Sequence, residues 1–130
     1  NKLWNITRFI LLKTEKSFDG AEPKDVKDKE NKGIVEKIES LIKKTEKQIS
    51  FYEFGQAMHD IYEFVWHEFA DKFIEYSKNK DDGETKNVLS WSLMSILKIL
   101  HPFTPFVTEE IYRKLPLENK TMLMIEQWPI

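Results

Sequence analysis

The chain has 130 residues, 41% of them hydrophobic and 13% aromatic, enough for one domain with a real core and too few for two independent ones. It has no cysteine, which excludes a disulfide framework, a thiolate nucleophile and thiolate metal or redox chemistry. A formal net charge of −2 argues against gripping nucleic acid by bulk charge, so any such role has to be local.

The first segment is such a place. Leu3, Trp4, Ile6, Phe9, Ile10 and Leu12 fall largely on one side at a 3.6-residue period, which predicts a helix of about four turns ending before Gly20. Lys2, Arg8, Lys13 and Lys16 stand against Glu15 alone, so this end can face a phosphate. The stretch DGAEPKDVKDKENKG, residues 19–33, is charged, holds Pro23 and has only Val26 as a branched apolar residue; a mobile connection is expected. Asn31 or the residues just before it are expected to cap a second helix. Ile34, Val35, Ile38, Leu41, Ile42, Thr45 and Ile49 mark its buried face, and a solvated face of Glu and Lys lies opposite.

The third segment runs from Phe54 to Lys78 with Ala57, Met58, Ile61, Phe64, Val65, Phe69, Phe73 and Tyr76 at helical spacing. Asp60, Glu63, His67, Asp71, Glu75 and Lys78 form the opposite stripe. After the break KNKDDGET, a fourth helix from about Glu84 to Leu100 is apolar nearly all round, which places it in the middle of the bundle. HPFTPFVTEEIY then makes a corner. Pro102 stops the fourth helix, Thr104-Pro105 reads as an N-cap and first helical position, and Glu109-Glu110 as anions near a helix start. A short fifth helix is expected from Val107 to about Leu115, followed by an irregular tail, residues 116–130, with Met122, Met124 and Trp128 packed across the bundle.

No apolar run approaches the roughly 20 residues that span a bilayer, and NKLWNITRF lacks the layout of a signal peptide. A soluble, cytoplasmic, all-α domain of about five helices over residues 1–130 is therefore expected, and its abrupt start at Asn1 reads as a piece of something longer. Catalytic signals are weak. His67-Glu68 with Asp71 superficially matches a helical zinc signature, but a second histidine and a third ligand are missing. Ordinary i,i+4 contacts of His67 with Glu63 and Asp71 explain the same residues. His59 and His101 have no partner at a suggestive spacing, and the scattered glycines form no phosphate-binding loop. Asp81-Asp82 and Glu109-Glu110 sit where helix capping accounts for them. Neither metal nor cofactor is expected.

KLWNITRF at 2–9, FVWHEFADKFIE at 64–75, LKILHPFTPFVTEEIY at 97–112 and QWP at 127–129 together resemble the helical anticodon-binding domain of valyl-tRNA synthetases, members of the class I aminoacyl-tRNA synthetases. NKGIVEKIESL at 31–41 and FGQA at 54–57 are similar to the starts of that domain's second and third helices, so the resemblance spans nearly the whole chain. The corner motif is shared more loosely with isoleucyl, leucyl and methionyl relatives; Lys-Leu-Trp-Asn with Arg-Phe, and Trp-His-Glu-Phe-x-Asp, are valyl in character. Gly33 stands where that family usually has tryptophan, and Lys72 where it commonly has an aromatic residue.

The resemblance implies tRNA recognition by this domain for a valine–tRNA ligase whose separate catalytic domain, in the same polypeptide, uses ATP to attach valine. Lys2 and Phe9 match positions that the family places against the anticodon loop, and Ile74 matches another; Asn5, Arg8 and Asp71 join them by helical spacing alone. Phe9 would stack on a base, Lys2 would bond a base edge or phosphate, and Ile74 would exclude water. Two alternatives stay open at this point: the equivalent domain of an isoleucyl- or leucyl-tRNA synthetase, and a helical module that docks a protein through its charged second helix.

Overall fold

The computed structural model describes residues 2–18 and 20–117 and contains, among them, five helices and no strand. They are α1 (Lys2–Thr14), closed by a 3-10 turn at Glu15–Ser17; α2 (Lys29–Ser50); α3 over residues 54–77; α4 (Gly83–Leu100); and α5 (Pro105–Arg113). The expected all-α bundle is what forms. Thirteen of the eighteen residues of α4 are buried, so this helix is the hub on which α1, α2 and α5 pack. Leu89, Leu93, Ile96 and Leu97 are almost wholly out of water, each contributing about 1.5–3 kcal/mol by burial. Buried hydroxyls on α1 are satisfied locally: Thr7 donates to the Leu3 carbonyl at 2.9 Å and Thr14 to that of Ile10 at 2.7 Å.

The third helix is continuous but not uniform. It is α-helical over Phe54–Glu63, widens to π geometry over Phe64–Ile74, and returns to α at Glu75–Ser77. A π turn bonds i to i+5, so residues five apart share a face that an α-helix would split. Phe64 and Phe69 accordingly stack at 6.4 Å and 28°, and Phe69 stacks in turn on Phe73 at 5.8 Å. Asp60, expected on the outer stripe, instead faces α2, where Gln48 donates to it at 2.9 Å and Lys44 pairs with it at 3.0 Å.

The connection before α2 departs from expectation. The helix begins at Lys29, inside the segment read as connection, and its cap is Asp28, which accepts from the Asn31 amide at 3.1 Å. Asn31, wholly buried, sends its side-chain amide to Glu84 at 2.9 Å and Thr85 at 3.1 Å. Glu84 also accepts from the backbone amides of Lys27 and Asp28, at 2.7 and 3.1 Å. From the end of α3, the Tyr76 hydroxyl donates to Asp28 at 2.8 Å. Asp82 caps α4 through the Thr85 amide and hydroxyl. Phe18 is buried, Val26 leans on the core, and Asn87 donates to the Ala21 carbonyl. These contacts join residues 20–28 to the bundle at several points. Gly33 lies in the second turn of α2, which runs through it undisturbed.

The α2–α3 link turns in a six-residue motif. The Glu53 amide reaches back to the Gln48 carbonyl at 2.8 Å and that of Tyr52 to Ile49 at 3.0 Å, the paired bonds of a Schellman cap. Its left-handed position, normally glycine, is Tyr52 at φ +60°. A left-handed L-residue costs roughly 1–2 kcal/mol.

At the corner, α4 ends at Leu100, as proline two residues on requires, while His101 keeps φ −52° and ψ −43°. Its Nδ1 lies 2.9 Å from Thr108 Oγ1, so it has the hydroxyl partner that local spacing did not suggest. The short helix starts at Pro105, the first helical position read from Thr104-Pro105 and two residues before the apolar pattern from Val107, and ends at Arg113. Thr104 occupies the cap position, but its hydroxyl donates to the Leu100 carbonyl instead of capping. Glu109 and Glu110 consequently lie beyond the first turn, where the dipole's pull has faded, and Glu109 pairs with Arg113. The packing expected of Met122, Met124 and Trp128 lies outside the described residues.

Asp28 is held below its ordinary 3.8 chiefly by the Asn31 amide, and Glu84 below its ordinary 4.5 chiefly by the Lys27 amide. Carboxylates depressed on folding stabilise fully above their unfolded values, and that contribution is lost as pH falls through the folded ones. Thermal scans against pH should therefore be flat from pH 7 to about 5 and fall below about pH 4, with a shallower acid limb in Glu84→Gln; an unchanged limb would remove Glu84 from the account. Tyr52→Gly should raise the stability of the domain by about 0.5 kcal/mol, relief of strain being partly offset by glycine's backbone entropy. That is about 2 °C in Tm, and a fall would contradict it.

Candidate nucleic-acid interface

Helix α1 buries Leu3, Ile6, Thr7, Ile10 and Thr14, a 3-4 spacing that fixes which side chains look outward. Asn5, Arg8 and Leu12 form the outer crest. Leu12 was expected inside yet is 77% exposed; its spacing from Asn5 and Arg8, seven and four residues, was the signal for the crest. Lys2, Phe9 and Lys13 occupy the flank. Lys2 Nζ lies 3.2 Å from Asp71 Oδ1, and Lys13 Nζ donates to the Lys78 carbonyl at 3.3 Å. The start of α1 is thus tied to the second half of α3 and its end to Lys78, the residue that follows α3.

Of the six residues singled out from sequence, Lys2 and Asp71 meet directly across the two helices, and Arg8 donates to the Asn5 side-chain oxygen at 3.4 Å. Phe9 is half-buried, packed on the core from the α1 side. Ile74 is 7% exposed and belongs to the core. It therefore presents almost no surface, and an apolar contact made directly by its side chain does not fit this arrangement. His67, not among the six, completes the row. Its Nε2 lies 3.7 Å from Glu63 and its Nδ1 3.6 Å from Asp71, the i,i+4 contacts read from sequence. Asp71 is therefore shared between an imidazole and the Lys2 amine. An amine, a guanidinium and an amide beside a half-exposed phenyl ring suit contact with phosphate, base edge and base face.

The two departures from the resemblance, Gly33 and Lys72, line one hollow between α2 and α3, together with Lys37, Glu68 and Phe73. Lys37 and Lys72 both pair with Glu68, at 2.9 and 3.2 Å, and their hydrogen bonds hold its carboxyl below the ordinary glutamate value. Charge pairing occupies the rim of that hollow.

The family model for the anticodon-binding domain of tRNA ligase matches residues 31–130. The chain belongs to that family. Helix α1 precedes the matched span, but full-length similarity covers it. Against the valine–tRNA ligase of Carboxydothermus hydrogenoformans the chain is 37% identical over 139 residues, covering 99% of this chain and 15% of the relative. The Petrotoga mobilis and Clostridium tetani valine–tRNA ligases are 38% and 37% identical, each over 99% of this chain and 16% of their own length. This anticodon-binding domain thus spans about 15% of the length of the curated relatives it matches. None of its described helices is long and apolar enough to cross a membrane.

With side chains 38% and 56% exposed, the Lys2–Asp71 pair contributes at most a few tenths of a kcal/mol, since solvent screens such pairs. Asp71→Asn should shift Tm by less than about 2 °C. A larger loss in a thermal melt would mean that the pair holds α1 in place.

Proposed function

We propose that this domain reads the anticodon loop of valine tRNA for a valine–tRNA ligase, while the rest of that polypeptide binds ATP and attaches valine, in the cytoplasm. The observation that carries the reading is the convergence of Lys2, Asn5, Arg8 and Phe9 on one edge of α1 beside Asp71, in an anticodon-binding domain similar to valine–tRNA ligases along its length. The formal charge of that helix and its following turn is positive, four basic residues against Glu15, within a chain of net charge −2. The positive potential is local, as a loop reader needs.

In this reading Phe9 is the stacking platform. Lys2 exchanges its contact with Asp71 for a base edge or phosphate, and Asn5 and Arg8 hold the loop backbone. Asp71, once released, accepts from an exocyclic amine of a base. Ile74 acts from beneath, keeping α3 packed at the level of Asp71. Valine anticodons share adenine and cytosine at their middle and third positions, so those bases are the ones to be read.

The test is a titration of a fluorescent valine anticodon stem-loop at low and moderate salt, with a copy changed at the middle base. Phe9→Ala should weaken binding about 5- to 150-fold, the equivalent of about 1–3 kcal/mol of base–aromatic stacking. Phe9→Leu, which keeps the apolar bulk, should lose nearly as much while melting close to the parent. Equal binding of both RNAs by all three proteins would overturn anticodon reading by this domain and leave only charge.

A further inference from the structure

Among the described residues, the largest concentration of exposed aromatic surface lies away from that edge. At the tip of the α2–α3 hairpin, Phe51 is 65% exposed, Tyr52 81% and Phe54 48%, and Tyr52 and Phe54 meet edge to face with ring centres 6.0 Å apart. Solvent-facing apolar groups scattered singly need no explanation, but a contiguous patch does. The tip is also rigidly presented. The Schellman bonds fix its backbone, and Asp60 collects Gln48, Gln56 and Lys44 just below it. Tyr52 holds the left-handed position that glycine adopts without steric strain. Strain of this kind, at a residue whose side chain makes no buried contact to repay it, points to use of the side chain elsewhere.

We propose that Phe51, Tyr52 and Phe54 dock into an apolar protein surface carried by another part of the same polypeptide. This rests on the chain's membership of the anticodon-binding family and on the length of its relatives, not on the anticodon reading. Charge separates the tip from a nucleic-acid site: between residues 43 and 60, Lys43, Lys44 and Lys47 are balanced by Glu46, Glu53 and Asp60, and Lys44 is already paired with Asp60. Phosphate binding draws on a basic excess, which α1 has and the tip lacks. Phe54, the tip residue nearest to Asp71 in sequence, stands about 25 Å from it along α3 at a rise of about 1.5 Å per residue, too far to contact the same base. This domain accounts for only 15% of its relatives' length, so a neighbouring domain of the same chain has ample surface to offer. Aromatic anchors set in a near-neutral rim are the composition of such a protein–protein contact.

The experiment places a photo-activatable phenylalanine analogue at position 52 of the whole ligase polypeptide that carries these residues, with and without tRNA, and maps the cross-links by mass spectrometry. Cross-links within one polypeptide to peptides outside residues 1–130, independent of protein concentration and of tRNA, are the expected result. Cross-links to tRNA alone, cross-links between copies that vanish on dilution, or none beyond residues 44–60 would each overturn the proposal. Tyr52→Gly supplies a variant expected to fold, since glycine suits the left-handed position. It should raise the Tm of the isolated domain, yet in the whole polypeptide speed amide exchange at residues 51–57 tenfold or more relative to the parent. Equal exchange in the whole polypeptide with and without the substitution would also overturn it. Neither readout depends on anticodon binding, so the two proposals fail separately.

Discussion

The arrangement of the bundle depends on one buried polar junction. Asn31, wholly enclosed at the start of α2, spans Glu84 and Thr85 at the start of α4, and Asp28 beside it takes the Tyr76 hydroxyl from the end of α3. Three helix ends are thereby joined, and the enclosed Asn31 amide nitrogen and Thr85 hydroxyl would cost about 1–3 kcal/mol apiece if left unpaired. Two of the helices present their N-termini to carboxylates, so backbone dipole and hydrogen bonding act in the same direction. Apolar packing drives these helices together but is tolerant of sliding. Directional bonds at one end select a single alignment, and the second half of α3, with Asp71, is positioned by it.

From that junction outward, the edge formed by α1 and α3 follows. Helix α1 lies on the hub helix α4 through its 3-4 apolar face, and lysines at its two ends reach α3 and the residue that follows it. The residues offered to a ligand are then those left on the crest and flank. Their mutual contacts are long or exposed, so little free energy opposes their exchange for contacts with RNA. A recognition surface has to be held in shape by the core while its own side chains stay weakly committed, and the division of labour between α4 and α1 has that form.

Much of this was legible in the residues. The number of helices, the central place of α4, the break at Pro102 and the contacts of His67 follow from periodicity, proline sterics and i,i+4 geometry. What escaped has physical reasons too. In the run Asp28 to Asn31 two side chains, Asp28 and Asn31, are able to cap, and only tertiary bonds to Glu84 and Tyr76 select Asp28. His101 finds Thr108 across a proline turn, seven residues on, which no helical rule links. Leu12 sat at the margin of a stripe that spacing alone drew too wide. Ile74 was assigned to the ligand side by resemblance, while packing places it inside. Lys2 and Asp71 are 69 positions apart, and periodicity within a helix says nothing about a partner at that distance.

The π stretch in α3 bears on how this surface tolerates change over evolutionary time. Between Phe64 and Ile74 the helix carries more residues per turn than its neighbours on either side, so it works as a phase shifter between two α-helical halves. Losing one residue there, unless the stretch absorbed it by tightening to α geometry, would turn the remaining half by about one helical step, roughly 100°. Asp71 would swing off Lys2, and the Phe73 ring would leave the stack. A substitution in this segment leaves that phase intact, whereas a deletion that the stretch did not absorb would be read as a rotation.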